Sequence, residues 1–161
     1  MPKLKERDFY LGAALSSFLR YNFDTKPSMI ERVDDKTQWI KMLTNSSQEF
    51  NIFMKYTTKS VYENENQISW QFALNPKDKT VIQQCIDSGL NTYIFFVCGL
   101  KKPLSGEIAI MSIQEYNTIK HKSNLTIKLK GARPHVFTIH IGKANADTFS
   151  IDRNRIEKKF E

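Results

Sequence analysis

Two stretches in the middle of the chain have opposite hydrophobic patterns. In residues 49–57 large apolar side chains alternate, which places four of them on one face of a predicted strand: Phe50, Ile52, Met54 and Tyr56. Residues 93–97 read Tyr-Ile-Phe-Phe-Val with no polar alternation, which is typical of a central strand covered on both faces. We therefore expect both stretches to be inner strands of the same sheet.

The remaining pattern predicts three helices and several further strands. Apolar spacing of three to four residues predicts helices at residues 5–20, 76–88 and 112–120. The second of these has a strong start signal, with Asn75 as the N-cap and Pro76 as the first helical residue. Alternation and β-branched or aromatic content predict strands at residues 29–33, 38–43, 68–74, 107–111, 125–130 and 135–141. Residues 62–67 are predicted to form a polar loop.

The order of these elements defines a fold class. It runs helix, antiparallel strand meander, helix and buried strand, followed by a second helix and a hairpin. This order predicts an α/β or α+β fold with a single mixed, mainly antiparallel sheet and helices packed on it. The 161 residues, 40% of them hydrophobic, are predicted to form one domain spanning 1–161, in which 145–161 form a flexible or helical C-terminal tail.

Two further features bear on the compartment. No apolar run approaches the roughly 18 residues of a membrane span, and the first residues lack the apolar core of a signal peptide. The two cysteines, Cys85 and Cys98, have no CxxC spacing and are too few for a disulfide framework. We therefore expect a cytoplasmic protein with reduced thiols and no membrane contact.

The candidate for catalysis is Lys55, on the predicted inner strand. Over residues 7–98 the element order, with Asp35 before one strand and Phe53-Met54-Lys55 on the next, resembles that of the restriction-endonuclease-like PD-(D/E)xK nucleases. In that family an acid near the second strand and an acid-x-Lys on the third hold a divalent metal ion and polarise the attacking water. The resemblance implies catalytic roles for Lys55 and Asp35, with magnesium as cofactor.

The sequence departs from the family pattern at one position. Phe53 stands where the family has a carboxylate, and a phenylalanine offers magnesium no oxygen ligand. The resemblance therefore implies either a catalytically degraded domain or a nuclease with a migrated acid, for which Glu31, Asp34 and Asp35 are the candidates. A purely structural role for Lys55, as a partly exposed side chain on a half-covered sheet face, is the competing interpretation.

The positive charge of the chain is concentrated in one segment. Residues 101–143 hold eight basic and two acidic residues, which is +6 of the total net charge of +7. The candidate residues for binding nucleic acid are Lys101, Lys102, Lys120, Lys122, Lys128, Lys130, Arg133 and Lys143. Lys128 and Lys130 lie two apart on a predicted strand and so point the same way, an arrangement that suits phosphate binding by counterion release. Lysines on an edge strand also prevent aggregation without binding anything, and this interpretation stays open.

A thiol is the third candidate. Cys98 lies at the carboxyl end of the buried strand, where α/β proteins often place reactive groups, and its candidate bases are His121, His135 and His140. A buried structural cysteine is the alternative. The histidines lack zinc-site spacing and no glycine-rich phosphate loop is present, so no metal or other cofactor is expected unless the protein is a magnesium-dependent nuclease.

These observations lead to three functional hypotheses. The first is a small, non-catalytic domain that binds nucleic acid or another polyanion through residues 101–143. The second is a protein-interaction or inhibitor module. The third is a metal-dependent nuclease with a migrated carboxylate. The sequence leaves open whether the protein is an enzyme.

Overall fold

A computed structural model describes residues 2–101, 104–142 and 147–160, which contain three helices, ten strands and one 3₁₀ turn. The helices are α1 (Glu6–Tyr21), α2 (Pro76–Asp87) and α3 (Ile113–Ile119). The strands are β1 (Thr25–Arg32), β2 (Thr37–Thr44), β3 (Glu49–Thr57), β4 (Ser60–Asn64), β5 (Gln67–Ala73), β6 (Thr92–Lys101), β7 (Leu104–Met111), β8 (Asn124–Lys130), β9 (Arg133–His140) and β10 (Thr148–Asp152). The 3₁₀ turn is Arg155–Glu157. In the part of the chain that the structure describes, no helix is both long and apolar enough to cross a membrane.

The strands form two sheets of five strands each, in the orders β1-β2-β3-β6-β7 and β10-β9-β8-β5-β4. The fold is therefore α+β, and the prediction of a single sheet was wrong. The reason lies in the strand patterns. β5 and β8 alternate between apolar and polar residues, so each has one apolar face toward the core and one polar face away from it, as expected of an outer layer. Such a layer supplies the second cover that the apolar strand β6 needs.

The first sheet contains the predicted pairing of the two central strands. β3 and β6 are parallel neighbours, with Lys55 beside Phe96, and both lie inside the sheet. The other pairings of this sheet are antiparallel. A parallel pair needs a long crossover connection, which here contains the β4-β5 hairpin and helix α2. The prediction that residues 49–57 and 93–97 share one sheet is confirmed.

Two apolar clusters cover the two faces of this first sheet. On one face α1 packs through Phe18, whose ring makes edge-to-face contacts with Phe50 and Phe95. On the other face Phe53 and Phe96 pack against the inner side of the second sheet, together with α2 and α3. The first sheet is therefore the middle layer of the molecule, and the outer side of the second sheet remains available to solvent.

The C-terminal segment differs from the predicted flexible or helical tail. Residues 148–152 form β10, which pairs with β9 at the edge of the second sheet. Arg155 then donates a hydrogen bond to the carbonyl of Ile110 at 2.8 Å and forms an ion pair with Glu115. Phe160 is buried against Phe18. The described residues 147–160 thus hold the two sheets and α1 together.

The predicted polar loop at residues 62–67 also differs from the structure, because its first part belongs to β4.

We expect Gly99→Ala to lower the free energy of unfolding, because a Cβ at this position of β6 would lie 2.5 Å from the ring of Tyr10. That ring is stacked on Tyr56 and its hydroxyl donates to the carbonyl of Leu100, so any movement of the ring breaks both interactions. Overpacking of this kind costs about 1–3 kcal/mol. Urea unfolding measures the decrease.

Gly12→Ala is the matched control for this prediction. A Cβ at Gly12 meets nothing within 4 Å, and the residue lies inside α1. Replacing a helical glycine by alanine should raise stability by roughly 0.5–1 kcal/mol. If Gly99→Ala were as stable as the wild type, the ring of Tyr10 would be free to move away from β6 without loss of stability.

Candidate functional site

Lys55 points into the space between the two sheets. It lies on β3 between Thr37 of β2 and Phe96 of β6, on the same face as Phe53. Its Nζ is 2.5 Å from Oδ2 of Asp78, and the side chains of this pair are only 6% and 0% exposed. Lys55 is therefore a buried, ion-paired residue and not the partly exposed side chain that the structural interpretation assumed.

Asp78 owes its position to the start of α2. It is the third residue of this helix, where its backbone N–H donates to the side chain of Asn75 at 2.8 Å. In return Oδ2 of Asp78 accepts from the backbone N–H of Asn75 at 3.3 Å, which completes a capping box. A carboxylate at this end also interacts favourably with the helix dipole. Its other oxygen, Oδ1, is buried without a hydrogen-bond partner in the described structure.

The sequence analysis did not select Asp78 as a site residue. Its partnership with Lys55 depends on how α2 sits across the carboxyl end of β3, which no local pattern encodes. The signal that could have found it was the combination of two features. Lys55 on a predicted inner strand needs a counter-charge, and Asp78 is an acidic residue at the start of the next predicted helix.

Lys55 also lines a polar cavity of about 440 Å³ at the end of β3. The β1–β2 turn, β5 and the start of α2 and β8 meet there. Polar residues of the wall include Asp34, Asp35, Lys36, Lys59, Asn75 and Asn124. The cavity therefore brings the two predicted catalytic residues, Lys55 and Asp35, to the same place.

The two acids of the β1–β2 turn differ in their surroundings. Asp34 accepts hydrogen bonds from the hydroxyl of Thr37 at 2.6 Å and from the backbone N–H of Lys36 at 2.8 Å. Burial alone would raise the pKa of Asp34, but these hydrogen bonds and the charge of Lys55 outweigh it, so the pKa lies below its ordinary value. The carboxylate of Asp35 is 86% exposed and pairs with Arg32. Asp34 is thus the ordered acid of the pair.

The cavity wall offers little to a magnesium ion. The ammonium of Lys55 covers Oδ2 of Asp78, and Phe53 is fully buried in the apolar core. Within residues 2–101, 104–142 and 147–160, no three His, Cys, Asp or Glu side chains are grouped so as to hold a metal ion. Magnesium is also held in proteins by one or two carboxylates together with water and substrate phosphates, and Asp34 and Asp35 would have to be those carboxylates here.

The thiol candidate has no geometric support. Cys98 is fully buried, and burial followed by the charge of Glu107 raises its pKa well above the ordinary value. Burial also raises the pKa of the Cys85 thiol to about 12. The histidines proposed as bases belong to the turn after α3 and to β9 in the other sheet. Both thiols are fully buried and therefore inaccessible to a reacting group in this structure.

The structure brings four of the eight predicted basic residues together on the outer side of the second sheet. Lys128 and Lys130 lie on β8, and Arg133, which begins β9, is paired with Lys130. Lys122 precedes β8 and its Nζ donates to the carbonyl of His140 at 3.0 Å. We call Lys122, Lys128, Lys130 and Arg133 the basic face.

The other four residues are placed differently. Lys101 ends β6 in the first sheet, where its Nζ is 3.7 Å from Glu6. Lys120 is exposed at the end of α3. Lys102 and Lys143 lie outside the described residues. The charged segment predicted from the sequence is therefore split between different parts of the molecule.

The basic face has few carboxylates near it. The three central strands of the second sheet, β9, β8 and β5, contain no Asp or Glu. Phe137, Ile139, Leu125 and Ile127 take the inward positions, and the outward positions hold lysines and polar residues, of which Ser69 and Thr138 are buried. On the flanking strands, Glu63 of β4 lies 2.9 Å from Lys128. The surface thus combines positive charge with hydrogen-bond donors.

His140 lies among these lysines. Its Nε2 is buried and has no hydrogen-bond partner among the described residues. Burial, and then the charges of Lys128, Lys130 and Lys122, lower its pKa below the ordinary value. Sequence reasoning considered His140 only as a base for Cys98. The alternation of β9, which places His140 opposite to Ile139, could have directed it to the lysine side.

Comparison with known proteins finds no match among protein-family models, curated proteins or solved structures. The class that the geometry defines is an α+β protein with two five-stranded sheets, a buried Lys55–Asp78 pair at a polar cavity and a separate basic face.

We expect Lys55→Met to lower the free energy of unfolding strongly, because it leaves the carboxylate of Asp78 buried without its cation. Breaking a buried pair in this way costs about 3–5 kcal/mol. The double variant Lys55→Met/Asp78→Asn removes the orphaned charge but keeps an oxygen for the helix cap, and should recover part of the stability. Chemical denaturation measures the free energy of unfolding of the wild type, the single variant and the double variant.

Lys59→Met is the control, because Lys59 lines the same cavity but is exposed. A surface substitution of this kind should change stability by no more than about 0.5 kcal/mol. Equal destabilisation by the two methionine variants would mean that the Lys55–Asp78 pair contributes no more than a surface lysine does.

Proposed function

We propose that the protein is a non-catalytic domain that binds nucleic acid or a comparable polyanion through the basic face. One observation carries the proposal. Four cationic side chains gather on the solvent side of a sheet whose three central strands contain no carboxylate. Such a surface attracts a chain of phosphates and releases their counterions on binding.

The position of β8 argues against the competing interpretation of its lysines. Lysines protect sheets from aggregation when they lie on edge strands. β8 is the middle strand of the second sheet, with β9 on one side and β5 on the other. Lys128 and Lys130 are therefore not needed for edge protection, which leaves anion binding as the interpretation that accounts for them.

The chemistry of the face favours contacts with the nucleic-acid backbone. Its outward positions with exposed surface include Gln71, Thr126, Lys128, Lys130 and Arg133, whose side chains can donate hydrogen bonds to phosphate oxygens. Stacking on unpaired bases needs exposed aromatic rings, and the aromatic residues of β5, β8 and β9 are buried in the core. Duplex nucleic acid, recognised by shape and charge, is the ligand that this face fits best.

The architecture of the first sheet adds support. α1, the meander β1-β2-β3, helix α2 and strand β6 parallel to β3 follow the element order on which the proposed resemblance to restriction-endonuclease-like proteins rests, with the β4-β5 hairpin of the second sheet inserted before α2. Phe53 is buried at the position of the family's second acid, as expected of a domain that no longer has catalytic activity. Binding without cleavage is consistent with both observations.

A second candidate function is metal-dependent cleavage of nucleic acid. It is favoured by one observation, that Asp34, Asp35 and Lys55 line the same polar cavity. In this arrangement the two acids would hold the metal ion, which would supply the activated water. Lys55 would remain paired with Asp78 and hold the cavity wall in place.

The first proposal is tested by binding to duplex DNA as the salt concentration rises. The affinity should fall steeply, and Lys128→Gln/Lys130→Gln should weaken binding. The double variant should also reduce the slope of log K against log salt by about 2, or roughly one for each phosphate that is no longer neutralised. Fluorescence anisotropy with a labelled duplex measures both quantities.

Lys3→Gln/Lys26→Gln makes the same change of net charge at exposed positions away from the second sheet. It should leave the slope nearly unchanged. Equal effects of the two double variants would mean that binding follows net charge and not the basic face. Binding that ignores salt would contradict the proposal and favour a protein-interaction module.

The second candidate predicts cleavage of DNA that requires magnesium. Asp34→Asn should abolish the cleavage, because it removes the ordered acid of the cavity, whereas Glu49→Gln, at the opposite end of β3, should not affect it. Gel assays with and without a chelator give the result. The absence of magnesium-dependent products from the wild-type protein would exclude this candidate.

A further inference from the structure

The basic face contains a nitrogen that lacks a partner. Nε2 of His140 is buried without a hydrogen bond in the described structure, although the charges of Lys128, Lys130 and Lys122 act on the ring. A buried polar atom left unpaired costs about 1–3 kcal/mol. Lysine ammonium groups are donors only and cannot accept from a protonated imidazole. An acceptor with negative charge would satisfy the lysines and the imidazole together.

The carboxylate of Glu63 already pairs with one of these lysines. Oε1 of Glu63 is 2.9 Å from Nζ of Lys128, and the charge of Glu63 also acts on His140, where it opposes the effect of the lysines. Glu63 belongs to the edge strand β4, and its side chain is 36% exposed. It can therefore swing outward without disturbing the core.

We propose that Lys122, Lys128, Lys130 and His140 form an oxyanion site that binds one phosphate group, and that Glu63 stands in for this phosphate in the free protein. The inference rests on the proposed function, because it assigns one phosphate of the polyanion to a specific position on the basic face. It adds a hydrogen-bonding residue, His140, and an internal competitor, Glu63.

The local structure allows this exchange. Lys122 reaches the carbonyl of His140 from the segment before β8, and Lys128 and Lys130 lie on the neighbouring strand. When Lys128 leaves Glu63, its flexible side chain can turn toward a phosphate bound beside the imidazole. The phosphate then accepts from three ammonium groups and from Nε2–H of a protonated His140.

The site has a consequence for pH dependence. The groups that face His140 are Lys122, Lys128, Lys130 and Glu63, and burial together with the three lysines holds its pKa below the ordinary value in the free protein. A bound phosphate offsets the lysine charges and raises the pKa, so binding takes up a proton. By linkage, the affinity increases as the pH falls toward the free-protein pKa. Phosphodiester groups keep their charge throughout this range.

The first measurement is duplex binding between pH 7.5 and pH 5.5 at constant salt. We expect the wild-type protein to bind about threefold to tenfold more tightly at the lower pH, which corresponds to an average uptake of about 0.25 to 0.5 proton over these two pH units. His140→Gln should abolish this dependence but keep the salt dependence. His135→Gln, which changes an exposed histidine on the same strand, should retain the wild-type behaviour. Equal pH dependence in all three proteins overturns the inference.

The second measurement separates the inference from the proposed function. Sulfate, a tetrahedral oxyanion without a titrating proton in this range, is added while the NMR signals of the His140 ring are followed against pH. A rise in the pKa of His140 supports the oxyanion site even if duplex DNA does not bind. Salt-dependent duplex binding with an unchanged pKa of His140 overturns the site and leaves the proposed function standing. Failure of both measurements overturns both.

The role of Glu63 has its own test. Glu63→Gln removes the internal competitor and should tighten duplex binding by about twofold to fivefold, the equivalent of one exposed ion pair. Glu65→Gln, which makes the same charge change two residues away, should tighten it less. If the two variants tightened binding equally, Glu63 would act only through net charge.

Discussion

The burial of β6 on both faces is the constraint on which the rest of the structure depends. Residues Ile94, Phe95 and Phe96 have no exposed surface, so this strand needs a cover on each side. α1 covers one face through the cluster around Phe18, and the second sheet covers the other through Trp70 and its neighbours. Because the second sheet is used as a cover, its outer side faces water, and that side carries the basic residues.

The Lys55–Asp78 pair belongs to the same constraint. β3 lies beside β6, so a charged residue on β3 must find its counter-charge within the interior. The capping box of α2 supplies an acid at the correct end of the strand. Taking both charges out of water costs several kcal/mol, which mutual attraction offsets only when the geometry is good. The pair is therefore better explained as a device that fixes where α2 meets the first sheet than as a large source of stability.

Local patterns predicted the elements well and their partners less well. The alternation of residues 49–57, the cap at Asn75 and the apolar run of 93–97 specified β3, α2 and β6, because each depends on neighbouring residues only. The second sheet was missed because the pairing of β5 with β8 joins residues more than 50 positions apart. Asp78 was missed as a site residue for the same reason, and the sequence could not show that Asp34, named beside Asp35 as a candidate acid, is held by a hydrogen bond from Thr37.

The positions of the basic residues likewise depend on strand pairing that the sequence does not show. Composition showed that residues 101–143 are basic, but only the strand order reveals that Lys128 and Lys130 occupy a middle strand and that Lys101 belongs to the other sheet. On a middle strand two lysines on the same face do not protect an edge, only Lys128 of the two is paired with a carboxylate on β4, and Nε2 of the nearby His140 has no hydrogen-bond partner among the described residues. A surface that retains both of these unfavourable features in the free protein is better matched to a bound anion than to water.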